Sequence, residues 1–135
     1  MALIQWDEKY SVKVADMDKE HLVWIGLIND LHEAMRSGQG KNKVGEVMDG
    51  LVAYTRTHFA HEEIMLTQST YPDLATHKQI HKDLIKKVED LQKKQRDGSL
   101  TLSMEVMSFL KDWLINHIQS VDIKYGDFFN AKGIY

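Results

Sequence analysis

The chain has 135 residues, 43% of them hydrophobic, and a formal net charge of −3, which suits one domain able to bury a core without crosslinks. The acidic balance argues against a nucleic-acid partner, whose phosphates call for a basic excess or stripe, and the absence of cysteine excludes disulfides, Cys-ligated zinc and iron–sulfur clusters. No stretch approaches the roughly 18–20 apolar residues that cross a bilayer, and the start MALIQWDEKY is too short and polar for a secretory signal, so a cytoplasmic protein without membrane insertion is expected.

Residues 1–17 lack a sustained helical period and read as an ordered arm carrying Trp6, Tyr10, Val12 and Val14. Asp16 or Asp18 is placed to cap the first helix. Over 19–37, Leu22, Ile25, Ile28, Leu31 and Met35 recur at three- and four-residue steps, which predicts that helix. Ser37-Gly38-Gln39-Gly40 stops it. A second helix spans 41–66, with Val44, Val47, Met48, Leu51, Tyr54 and Met65 on one stripe and Gly45 and Gly50 weakening it. After a loop at Gln68-Ser69-Thr70-Tyr71, Pro72 suits the first turn of a third helix over 72–96, where a missing N–H costs nothing. Its Lys82, Lys86, Lys87, Lys93 and Lys94 alternate with Asp83, Glu89 and Asp90 and read as a solvated face. Asp97-Gly98-Ser99 breaks it. A fourth helix over 101–125 carries Val106, Phe109, Leu110, Trp113 and Leu114 and ends near 125–130. Long amphipathic helices joined by short loops must be antiparallel neighbours, so the expected fold is all-α, an up-down-up-down four-helix bundle with an N-terminal arm, as one domain over 1–135.

The seven histidines are the compositional oddity. His21 lies in the first turns of the first helix, His58 and Glu62 in the last turns of the second. His77 and His81 open the third, and His117 and Asp122 close the fourth. In an up-down-up-down bundle those four ends lie together, so five histidines and two carboxylates gather in one layer. His21 shares a stripe with Ile25 and Ile28, and His58/Glu62 and His77/His81 are four apart, which puts each pair on one face. His117 follows Leu114 by three. All point inward, where an uncompensated polar group costs several kcal/mol, roughly 2–7. A lone inward histidine is more often a satisfied core residue than a ligand. Seven such groups from four helices are most simply satisfied by metal.

Imidazole and carboxylate donors without sulfur suit iron, zinc, copper or manganese. Seven side chains are too many for one ion. Two ions bridged by two carboxylates use them economically, three histidines on one and two on the other, leaving one ion an open position.

His21, His58-Phe59-x-x-Glu62, His77-x-x-x-His81 and His117-x-x-x-x-Asp122 together resemble the hemerythrins, in particular their single-domain bacterial members. Trp6, Asp18-x-x-His21, Ile28-Asn29-x-Leu31, Tyr71-Pro72 and Trp113-Leu114-x-x-His117-Ile118 extend the resemblance over nearly the whole chain. It implies two Fe ions with an oxo or hydroxo bridge and reversible binding of dioxygen, for transport, storage or delivery, without enzymatic turnover. It implies His77, His81 and His117 on one iron, His21 and His58 on the other, and Glu62 and Asp122 between them. Dioxygen would enter at the two-histidine iron. Trp24, one turn after His21, is bulkier than the aliphatic residue the resemblance leads one to expect.

Leu114, one turn before His117, is expected to project over the open iron, with Phe59, Trp113 and Ile118 completing an apolar wall. His32 follows His21 by eleven residues, about 16 Å along the helix, and cannot reach the same ions. His61 is expected on the flank, mostly at the surface, and Glu63 beside the ligands or in solvent. A ferritin-like oxidase needs Glu-x-x-His motifs and a zinc protease needs His-Glu-x-x-His; neither is present. On the same site, the alternatives are a di-iron enzyme acting on peroxide or nitric oxide and an oxygen-sensing module. No segment marks an oxygen-accepting or electron-donating protein partner.

His117 and Asp122 are five apart, a rotation of about 140° on a regular α-helix. Either a π-type widening at Ile118-Gln119-Ser120-Val121 brings them to one face, or they approach from opposite flanks of the stripe. The widening is the favoured expectation.

Overall fold

The computed structural model describes residues 3–38, 41–97 and 104–135. A short 3-10 turn at Glu8–Tyr10 precedes α1 (Ala15–Arg36), α2 (Lys41–Gln68), α3 (Leu74–Asp97), α4 (Met104–His117) and α5 (Ile123–Ala131). Five residues of π-helix, Ile118–Asp122, join α4 to α5 as one rod, so the described residues form a four-helix bundle. α1 packs against α2 and α4, and α2 against α3. Met17, Ile28, Leu51, Leu114 and Phe129 are among the fully buried side chains of the core. No helix of the described residues is long and apolar enough to cross a membrane.

Several boundaries and one core residue differ from the sequence expectation. α1 begins at Ala15, inside the segment expected as arm, and neither Asp16 nor Asp18 caps it; Val14 is its N-cap, with no side-chain bond. Asp18 instead holds the arm, accepting from Ser11 Oγ at 2.6 Å and from the Val12 N–H at 2.8 Å. Leu22 is 49% exposed. Three-residue steps drift by about 60° on a helix, which carries Leu22 off the face that His21, Trp24, Ile25 and Ile28 share. α2 continues to Gln68, and α3 starts at Leu74, with Pro72 and Asp73 in the turn before it. The Asp73 carbonyl accepts from the His77 N–H at 3.0 Å, so the turn leads directly into the helix. The last helix runs past 125 to Ala131. The expected start near Thr101 and the breaks at Gln39-Gly40 and Gly98-Ser99 lie outside the described residues.

The arm is an integral part of the bundle. Ile4 and Asn29 exchange two hydrogen bonds, Ile4 N–H to Asn29 Oδ1 at 2.9 Å and Asn29 Nδ2 to the Ile4 carbonyl at 2.8 Å. Val12 and Val14 are buried. Val12 crosses α5 so closely that a Cβ on Gly126 would collide with the Val12 carbonyl oxygen. Gly126→Ala is therefore expected to push the arm off α5 and lower stability by about 1–3 kcal/mol, the usual cost of overpacking. Urea unfolding of the variant would measure it, and an unchanged midpoint would show that the backbone yields without cost.

Candidate metal centre

One end of the bundle holds His21 on α1, His58 and Glu62 on α2, His77 and His81 on α3, His117 at the end of α4 and Asp122 at the end of the π-turn. All seven are buried. On α2 and α3 the four-residue spacing presents both members of each pair on one face. His117 and Asp122 meet through the π-turn, where the Ile123 N–H bonds to the Ile118 carbonyl, five residues back. That wider turn sets His117 Nε2 3.0 Å from Asp122 Oδ1. The widening expected from the five-residue interval is present.

The two carboxylates divide their oxygens between two histidine groups. Glu62 turns Oε1 to His77 Nε2 at 2.5 Å and His81 Nε2 at 3.1 Å. It turns Oε2 to His58 Nε2 at 3.3 Å and His21 Nε2 at 3.8 Å. Asp122 turns Oδ1 to His117 Nε2 at 3.0 Å and His77 Nε2 at 3.5 Å, and Oδ2 to His21 Nε2 at 3.2 Å. A carboxylate with one oxygen toward each of two imidazole groups has the form of a bridge between two ions. The donor atoms fall into two sets that could each hold an ion, one of Glu62, His77, His81, His117 and Asp122, the other of His21, His58 and Glu62.

Protein contacts alone leave this cluster unsatisfied. Both nitrogens of His21, the Nε2 atoms of His58, His81 and His117, and both Asp122 oxygens are buried without a hydrogen-bond partner. Several lie 3.0–3.8 Å from a carboxylate oxygen, across spaces that no hydrogen bond spans. Unsatisfied buried polar atoms cost about 1–3 kcal/mol each, and cations in those spaces would satisfy all of them together except His21 Nδ1, since that ring turns Nε2 to the carboxylates. The donor set therefore fits two metal ions.

Without cations, protons take their place. Burial pushes the His21 imidazole down, but the Asp122 and Glu62 carboxylates beside it outweigh burial and carry it up to about 9. His58 is raised for the same reason, by Glu20 and Glu62 against its burial, and His77 by Glu62. Burial would raise Glu62, but the imidazoles of His21, His58, His77 and His81 gathered around it hold it well below the usual carboxylate range. Asp122 is raised by burial and by the Glu62 charge, yet His117 and His21 bring it below its ordinary value.

Around the ligands, Phe59 stacks on His81 with ring centroids 3.6 Å apart, and Trp113 on His117 at 4.4 Å. Ile118 and Leu114 are buried, and Trp113 is half-buried. Leu114, Trp113, Trp24 and Thr55 line a cavity of about 10 Å³ with Ile28, Leu51, Leu84, Val88 and Leu110. Trp24, Thr55 and Leu114 each stand three residues from a cluster histidine, so the cavity lies about one turn, or roughly 4.5 Å, beneath the cluster. Thr55 spends its hydroxyl proton on the Leu51 carbonyl at 2.8 Å, so the lining offers no free donor there. Trp24, with its ring 5.4 Å from that of His58, narrows this space.

Two features escaped the sequence analysis. Tyr125, fully buried, donates its hydroxyl to Glu62 Oε2 at 2.8 Å; burial first, then the Glu62 and Asp122 charges, push its ionisation well above 10, so it stays a donor. Glu20 meets both His58 and His61. Each adjoins a ligand region in sequence (Tyr125 three after Asp122, Glu20 just before His21), but only the contact across helices gives it meaning. Glu63, expected beside the ligands or in solvent, meets His81 Nδ1 at 2.9 Å. His61 is 45% exposed in its side chain and still reaches Glu20. His32 is buried on α1, away from the cluster.

Fold and site together define a four-helix-bundle protein with a buried histidine–carboxylate centre for two metal ions. The chain matches the hemerythrin HHE cation-binding domain over residues 12–127 and belongs to the hemerythrin family. It is 37% identical to a bacteriohemerythrin of Stenotrophomonas maltophilia, over 94% of this chain and 82% of that protein. It is 33% identical to a bacteriohemerythrin of Methylococcus capsulatus, over 97% of this chain and all of the other. A crystal structure of a wild-type hemerythrin superposes with a TM-score of 0.88 at 33% identity, covering 93% of this chain and 97% of that one.

The proton occupancy has a measurable consequence in metal-free protein. A histidine raised in the folded state, like His21, adds stability that is complete below its unfolded value of 6.5 and is lost as pH rises through about 9. The depressed Glu62 and Asp122 add stability that is complete above their unfolded values of 4.5 and 3.8 and is lost on further acidification. Chelator-treated protein should therefore melt at a higher temperature near pH ~6 than near pH ~9.5. A melting temperature that is flat or rises over that interval contradicts the assigned proton positions.

Proposed function

We propose that His77, His81 and His117 hold one iron, that His21 and His58 hold the other, and that Glu62 and Asp122 bridge them. The protein is an oxygen-binding, non-haem di-iron protein. The observation that carries the ligand assignment is the split of each bridging carboxylate, one oxygen to each histidine group. Three histidines against two leaves the second iron one protein ligand short, and that is where dioxygen would enter. When bound there, a pair of iron ions would supply the reversible two-electron chemistry that uptake and release of dioxygen require.

The remaining work belongs to the chain. Tyr125 holds Glu62 from behind and fixes the direction of its Oε2. Leu114, Trp24 and the residues beneath them keep the approach apolar, which slows entry of water and protons that would make the uptake irreversible. A space of about 10 Å³ is on the scale of a single water. It favours a diatomic ligand over an organic substrate.

Reversal of the optical change tests the reading. Anaerobically reduced protein exposed to air, then to vacuum, should return to its starting spectrum. Steady consumption of oxygen, peroxide or nitric oxide without reversal would make it an enzyme.

Metal analysis of iron-replete protein should give about two irons per chain. Glu62→Ala and Asp122→Ala should each lose iron while His32→Ala keeps both; equal losses in all three would sink the assignment.

Leu114→Ala should speed autoxidation of the oxygenated protein beyond what its loss of stability explains. Core truncations of this kind cost about 2–5 kcal/mol. If only the stability falls, Leu114 is packing and nothing more.

A further inference from the structure

Two carboxylates outside the cluster meet its histidines from behind. Glu20 Oε1 lies 2.7 Å from His58 Nδ1, while His58 Nε2 faces Glu62. Glu63 Oε2 lies 2.9 Å from His81 Nδ1, while His81 Nε2 faces Glu62 from the opposite side. An ionised carboxylate only accepts, so it draws the single proton of a neutral imidazole to Nδ1 and leaves the Nε2 lone pair aimed at the cluster.

The two contacts follow one construction. Glu20 stands on α1 and serves His58 on α2; Glu63 stands on α2 and serves His81 on α3. Each is the sequence neighbour of a cluster residue, Glu20 of His21 and Glu63 of Glu62. Adjacent helix residues point about 100° apart. One therefore enters the cluster while the other reaches along the flank to the next helix. The two contacts also fall on opposite sides of the carboxylate bridge, since His58 belongs with His21 and His81 with His77 and His117.

The first contact is buttressed. The other oxygen of Glu20 is taken by Nδ1 of His61, which is half in solvent. Tyr54, whose ring lies parallel to His58, donates to the Glu20 backbone carbonyl at 3.1 Å. On the same side, His21 Nδ1 has no hydrogen-bond partner. The histidine orientation on that side is thus anchored to carboxylate through His58.

We infer that Glu20 and Glu63 are positioning residues, one for each metal, that fix the ring and tautomer of His58 and His81, and that His61 serves the first metal by holding Glu20. This rests on the two-iron reading above. Their negative charge also makes each imidazole a stronger donor, which favours the ferric state. Glutamine at either position keeps an acceptor oxygen and the ring orientation but removes the charge. Alanine removes both.

The test begins with the unaltered protein loaded with iron-57. If it holds one iron, the two-iron reading fails and takes this inference with it. If it holds two, the variants decide this inference alone. Glu20→Ala and Glu63→Ala should each weaken binding of one ion by about 10–100-fold in competition with a chelator, the usual cost of losing such a partner. Glu20→Gln and Glu63→Gln should keep both ions, raise the midpoint potential and each alter a different one of the two Mössbauer doublets. His61→Ala should act on the same doublet as Glu20→Gln, and more weakly. Should an alanine variant lose its helix content by circular dichroism, the glutamine variants and His61→Ala still decide. Unchanged doublets and potential in both glutamine variants, or a change in the same doublet from both, would overturn the inference.

Discussion

Five histidines and two carboxylates share one buried end of the bundle, and most of their inner atoms find no hydrogen-bond partner among themselves. Burial of so many polar groups opposes folding unless cations or protons occupy the spaces between them. The rest of the structure is organised around that demand. Ligands sit at helix ends that antiparallel packing brings together, and each of the four rods contributes at least one. The charges of Glu62 and Asp122 are balanced by histidines that take up protons when no metal is there, so the same geometry that selects cations also makes proton release part of metal binding.

The π-turn is the local distortion this demand imposes. A regular helix would swing Asp122 about 140° away from His117. One extra residue in the turn, at Ile118–Asp122, returns it to the cluster and still leaves α5 continuing the same rod. The continuation matters because α5 carries Tyr125, which holds Glu62, and Gly126, which lets the arm pass. The arm in turn is tied to α1 by Asp18 and Asn29, close in sequence to His21. Ligand geometry and closure of the bundle are therefore mechanically linked.

The site is asymmetric in a way that suits a small apolar ligand. The three-histidine side is stacked over by Phe59 on His81 and Trp113 on His117. Beneath the cluster the layer of Trp24, Thr55 and Leu114 encloses only a narrow space. Hydrophobic packing and control of access are the same interaction here. The side chains that fill the core one turn below the ligands are also those that set what can reach them.

Much of this was legible in the sequence because helical periodicity is a property of each helix alone. The four-residue intervals of His58/Glu62 and His77/His81, the five-residue interval of His117/Asp122 and the position of every ligand near a helix end require only the pitch of a helix and antiparallel order. Those features determine the layer and foretell the π-turn. Contacts between helices are another matter. Nothing in the spacing says that Leu22 turns outward, that Asp18 holds the arm instead of capping α1, or that Glu20, Glu63 and Tyr125 meet His58, His81 and Glu62. Each depends on how far one helix is rotated and shifted against the next. Side-chain packing along the whole interface sets that rotation, and no local run of residues encodes it. The sequence by itself determined which groups must meet at the end of the bundle. Only the tertiary structure decided which oxygen faces which imidazole, and what stands behind them.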